Sequence, residues 1–135
     1  MNILFVCRHN RFRSKVAEAF FNKINKSSKH HVKSAGIIKG VPVAPIVRKI
    51  GKENGIGISS ETSGVTEKMI YWADVFVIVA NDVPVEIFER YKKLGKKVIV
   101  WKVRDASQND ENSIRRIFLE IKNKIEGFQK DLGKY

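Results

Sequence analysis

The chain has 135 residues, 43% of them hydrophobic, enough to bury a core and too many for a disordered polypeptide. No apolar run approaches the ~20 residues needed to cross a bilayer, and the apolar opening at residues 3–6 is too short for a signal peptide and has no basic region before it. One cysteine excludes an intramolecular disulfide and a cysteine-rich zinc site, and a lone reactive thiol fits a reducing cytoplasm.

The net charge of +12 is uneven. Residues 1–53 hold twelve Lys and Arg against Glu18 and Glu53, whereas residues 54–135 hold fourteen against twelve acids. Such a field can steer an acidic or phosphorylated partner. No interleaved aromatic pattern accompanies it, so nucleic acid is not the favoured partner.

Residues 2–6 read as the first strand, and the unbroken apolar run over 3–6 is the pattern of a strand buried on both faces of a parallel sheet. The run ends abruptly in Cys7-Arg8-His9-Asn10-Arg11-Phe12-Arg13-Ser14. A helical pattern follows from Arg13 to about Lys26, with Val16, Ala19, Phe20 and Ile24 on one face. Strand, short loop and helix aim backbone N–H groups and a helix N-terminus at an anion. Cations and a helix start favour the thiolate form of a cysteine, and Arg8, Arg11 and Arg13 all lie within six residues of Cys7. A planar guanidinium grips two oxygens of a tetrahedral anion at once, and a thiolate beneath a bound phosphate is a nucleophile.

Residues 25–29 are a polar breaker, followed by His30 and His31 as surface residues before a short strand at 31–34. Neither histidine has the neighbours of a metal site. Residues 37–44 carry Gly40 and Pro42 and form a loop. Pro45 opens a second helix that stops at Gly55. Residues 59–64 are a polar linker, and Thr66 caps a short helix through Tyr71. Residues 74–79 form the third strand. Asp82 and Pro84 open a third main helix bearing Val85, Phe88 and Tyr91, stopped at Gly95. Residues 98–101 form the fourth strand. Ile114, Ile117, Phe118, Ile121, Ile125 and Phe128 then mark a long amphipathic helix, capped by Asp110 or Asn112. Alternating strands and helices give a single α/β domain over residues 1–135 with a parallel sheet.

Cys7-x5-Arg13-Ser14 after an apolar strand, followed by Ala17-Glu18-Ala19, resembles the low-molecular-weight protein tyrosine phosphatase family, whose superfamily includes arsenate reductases. Asn10 matches the family's loop asparagine. Val32-Lys33-Ser34-Ala35-Gly36 resembles its second strand and Ser-Ala-Gly turn, and Asn54-Gly55-Ile56-Gly57-Ile58-Ser59 its Gly-Ile-x-x-Ser segment. Trp72-Ala73-Asp74 is similar to the approach to its third strand, and Trp101-Lys102-Val103-Arg104-Asp105 falls where its late acid lies. The chain departs from the family at His9, usually Gly, at Arg11, usually apolar or small, and after Asp105, usually followed by Pro.

The resemblance implies a three-layer fold with a four-stranded parallel sheet in the order 2-1-3-4 and helices on both faces. It implies a phosphomonoester hydrolase acting through a phosphocysteine. Cys7 would attack phosphorus, Arg13 would hold the equatorial oxygens, and Asp105 would be the general acid, with Asp110 as the other candidate. The loop from Arg8 through His9, Asn10, Arg11 and Phe12 would cradle the phosphate with its amides. Ser14 would donate to the Cys7 sulfur, and Asn10 would bond Ser34 and hold the loop. No metal and no cofactor are called for. The expected partners are a phosphorylated protein or small phosphomonoester, with phosphate or arsenate as oxyanion. Two other readings stay open: arsenate reduction using an external thiol or glutaredoxin, and a non-catalytic phosphate- or phosphoprotein-binding module.

Overall fold

The computed structural model describes residues 1–133. Four strands form one parallel sheet in the order β2-β1-β3-β4. β1 spans Asn2–Cys7, β2 His31–Gly36, β3 Val75–Val79 and β4 Lys97–Trp101. β1 is central, pairing with β2 from Asn2↔His31 to Cys7↔Gly36 and with β3 from Ile3↔Val75 to Val6↔Ile78. Residues 3–7 and 75–79 are buried throughout, which is why both strands read as unbroken apolar runs.

Helices cover both faces. α1 (Arg13–Ile24), α2 (Pro45–Glu53) and α5 (Glu111–Leu132) pack on the face that carries Ile3, Phe5, Val75 and Val77. α3 (Glu67–Trp72), α4 (Glu86–Glu89) and a 3₁₀ segment over 90–94 cover the face that carries Leu4, Val6, Phe76 and Ile78. Among the described residues, no helix is long and apolar enough to cross a membrane.

Two elements differ from the sequence reading. β2 runs two residues further than 31–34, because Ala35 and Gly36 continue the ladder alongside Val6 and Cys7. Gly36 is required there: a Cβ would sit 2.5 Å from the His9 carbonyl carbon and 2.6 Å from the Asn10 nitrogen. The expected third main helix after Pro84 is instead one α-turn followed by the 3₁₀ segment. Phe88 and Tyr91 stand three residues apart, which 3₁₀ geometry keeps on one face as well as an α-helix does. Both rings pack on Phe76, with centroids 5.0 and 6.0 Å away.

Candidate active site

Cys7 closes β1 and is 2% exposed at the C-terminal edge of the sheet, where open α/β sheets bind ligands. The chain then turns through residues 8–12 into α1. Asn10 makes the turn possible with φ of 58°, a left-handed conformation that Asn tolerates better than most residues. It is fully buried, and its side chain ties four segments together.

The direction of these hydrogen bonds can be worked out. A backbone N–H can only donate, so the Ser63 N–H at 2.9 Å fixes Asn10 Oδ1 as its acceptor. The Asn10 amide nitrogen then faces two hydroxyls, Ser14 Oγ at 2.8 Å and Ser34 Oγ at 3.0 Å, and donates to both. Ser34 gives its own hydrogen to Glu18 Oε1 at 2.7 Å. Ser14 Oγ, which accepts from Asn10, also lies 2.9 Å from Cys7 Sγ. The Asn10 backbone N–H donates to the sulfur at 3.2 Å.

Arg13 begins α1 and is 2% exposed. Its Nη1 donates to the Val103 carbonyl at 3.0 Å. Its Nη2 lies 2.9 Å from Asp82 Oδ1 and 3.7 Å from Asp105 Oδ2. The Asp82 contact is an ion pair without hydrogen-bond alignment. The remaining N–H groups of the fork stay available to an oxyanion. Beyond β3, Ala80 and Asn81 donate to the carbonyls of Trp101 and Val103, which carries Asp82 alongside the 103–105 segment. Both carboxylates are 30% exposed, so each faces the guanidinium from one side and solvent from the other.

The other residues singled out from sequence separate into two groups. Arg8 is exposed and His9 and Arg11 are half-buried in the loop. Phe12 contributes only backbone there, since its ring is in the core 5.7 Å from that of Phe118. Ser34 sits behind the loop as a support. Asp110 is occupied as the cap of α5, accepting from Ser113 N and Ser113 Oγ at 3.1 and 2.7 Å. Those bonds hold its carboxyl below the usual carboxylate range. Among the described residues no cluster of His, Cys, Asp and Glu could hold a metal ion.

Asp82, Glu18 and Ser63 take part in the arrangement and were not singled out from sequence as site residues. Only Asp82 carried a usable signal: it follows an apolar strand at the same sheet edge as Cys7.

The sequence model of low molecular weight phosphotyrosine protein phosphatases matches residues 2–135. No curated protein matches significantly. Among solved structures, an arsenate reductase from Archaeoglobus fulgidus is 28% identical, with a TM-score of 0.73 over 93% of this chain and 97% of that one. The YwlE arginine phosphatase from Geobacillus stearothermophilus shares the fold at 23% identity, with a TM-score of 0.83 over 98% and 93% of the two chains. A low molecular weight protein tyrosine phosphatase from T. tengcongensis shares it at 24% identity and 0.82, over 97% and 99%.

Proposed function

The chain belongs to the low molecular weight phosphotyrosine protein phosphatase family, a family of cysteine-dependent phosphatases, and from that premise we propose that it hydrolyses phosphomonoesters through a phosphocysteine on Cys7. The observation that carries the reading is the Cys7 sulfur within hydrogen-bond distance of the Ser14 hydroxyl and the Asn10 N–H, in the loop that runs into Arg13. The Cys7 thiolate attacks phosphorus as the bond to the leaving oxygen breaks. Asp105 gives its proton to that oxygen. The Asp105 carboxylate then takes a proton from water, whose oxygen attacks phosphorus. The P–S bond breaks, phosphate is released and the thiolate returns. Arg13 and the loop amides offset the charge on the equatorial oxygens, where such preorganised donors act most strongly. Asp82 holds Arg13 in place from the other side.

Para-nitrophenyl phosphate turnover that disappears in Cys7→Ser is the direct test. Asp105→Asn should slow phenyl phosphate more than para-nitrophenyl phosphate, by up to ~10²–10⁴-fold, and remove the alkaline limb of kcat/KM. Asp82→Asn should slow both substrates alike, because it acts through Arg13. The reverse pattern would make Asp82 the acid. Oxyanion binding without turnover would overturn the enzyme mechanism.

The resemblance to an arsenate reductase supplies a second reading. With one cysteine in the sequence an internal thiol relay is impossible, so reduction would need an external thiol or glutaredoxin. Arsenate reduction supported by glutathione and faster than phosphate ester hydrolysis would establish it.

A further inference from the structure

Asp105 forms part of two walls. One faces Arg13 at 3.7 Å. The other belongs to a separate cleft of about 490 Å³ between the segment after β4 and the first turns of α5. Lys102, Arg104 and Arg116 line this cleft, with Glu120 and the side of Ile117. Among the described residues, none of the three cations is held in an ion pair. Arg116 is instead steadied by a neutral partner, donating from Nη2 to Ser113 Oγ at 2.9 Å. The charges facing the cleft are therefore three cations against Asp105 and Glu120.

We infer that this cleft is a subsite for an acidic side chain lying next to the phosphorylated residue of a protein substrate. The inference rests on the phosphatase reading and names its substrate class. Asp105 lines the cleft and also faces Arg13, so the cleft adjoins the side of the site where Arg13 would hold the scissile phosphate. The volume exceeds what a second phosphate fills and suits a residue with its backbone. Buried Ile117 gives the methylene stem an apolar surface, while the three cations face the carboxylate. The segment beside the cleft, Lys102-Val103-Arg104-Asp105-Ala106-Ser107-Gln108, carries no aromatic side chain.

The test is binding, so it does not depend on turnover. Fluorescent phosphotyrosine peptides with Glu, Ala or Lys flanks are titrated onto full-length Cys7→Ser protein at about 0.15 M salt, where bulk steering is screened over roughly 8 Å. The Glu peptide should bind roughly 5- to 10-fold more tightly than the Ala peptide, the scale of one or two partly exposed charge pairs. Adding Arg116→Glu should abolish or invert the preference, and Lys102→Glu should reduce it. Both side chains are exposed, and melting curves confirm that the variants fold. Equal affinity for Glu and Ala peptides overturns the subsite. So does a preference that survives both charge reversals, or tighter binding of a small bisphosphate than of the Glu peptide. Failure of the phosphatase reading shows up separately, as loss of para-nitrophenyl phosphate turnover in the protein that retains Cys7.

Discussion

Both Asn10 amide hydrogens are used, on Ser14 and Ser34, and its side-chain oxygen accepts from the Ser63 N–H. Ser14 is the next link, and in the proposed mechanism its contribution would be greatest when sulfur leaves phosphorus in the second step. Ser14→Ala removes a hydrogen bond to a charged group, of a kind that contributes about 1.5–3 kcal/mol, so kcat should fall roughly 10- to 100-fold. Rapid mixing should show a burst of para-nitrophenol larger than in the wild type, because phosphocysteine accumulates. Unchanged kcat without a burst would show that the hydroxyl does not assist departure of the sulfur. At this scale Cys7, Arg13 and Ser14 were legible, because a strand, a short loop and a helix place them within one local motif, whereas the Asn10–Ser34 bond, reaching across to β2, followed only from the family resemblance. Asp82 was not, because it is 69 positions from Arg13 and its neighbour Pro84 made it read as a helix start. Ser63 was invisible for a different reason: it contributes a backbone N–H, which carries no residue signature.

Among the elements, α5 shows how a charged side chain can belong to stability alone. Asp110 caps it through Ser113, and the Ser113 hydroxyl and N–H lower the carboxyl below its usual range. A group depressed in the folded state stabilises it above the unfolded value, near ~3.9, and that contribution is lost as pH falls through the lower folded value. Asp110→Ala should therefore lower Tm at neutral pH, with the gap closing below about pH 4, while para-nitrophenyl phosphate turnover stays unchanged. A gap that persists at acid pH would mean that something other than the carboxylate charge supports the helix start. β1 and β3 were legible to within a residue, since burial on both faces leaves continuous apolar runs, whereas the polar β2 was read two residues short. The segment after Pro84 was misread because apolar spacing of three fits two helical geometries and does not separate them.

For the molecule as a whole, one ring cluster joins elements distant in sequence. Phe5 on β1 meets Phe21 of α1, Trp101 of β4 and Phe128 of α5, with centroids 6.2, 6.1 and 6.4 Å away. Phe128 also meets Trp101 at 5.7 Å and Phe21 at 6.1 Å. Phe128→Ala should cost about 3–5 kcal/mol in urea unfolding, with kcat/KM retained well below the melting temperature. A loss under 1 kcal/mol would mean that the neighbours collapse into the space. The sheet order followed from the family resemblance and is the observed one, whereas the ring cluster depends on helix placement that periodicity does not specify. The placement of the sole cysteine, buried under the loop, also governs the fate of the protein under oxidants. A sulfenic acid formed on Cys7 finds no second thiol in its own chain and cannot be stored as an internal disulfide. It returns to the reduced state through a thiol from outside, or it advances to the sulfinic acid, which ordinary thiols do not reverse.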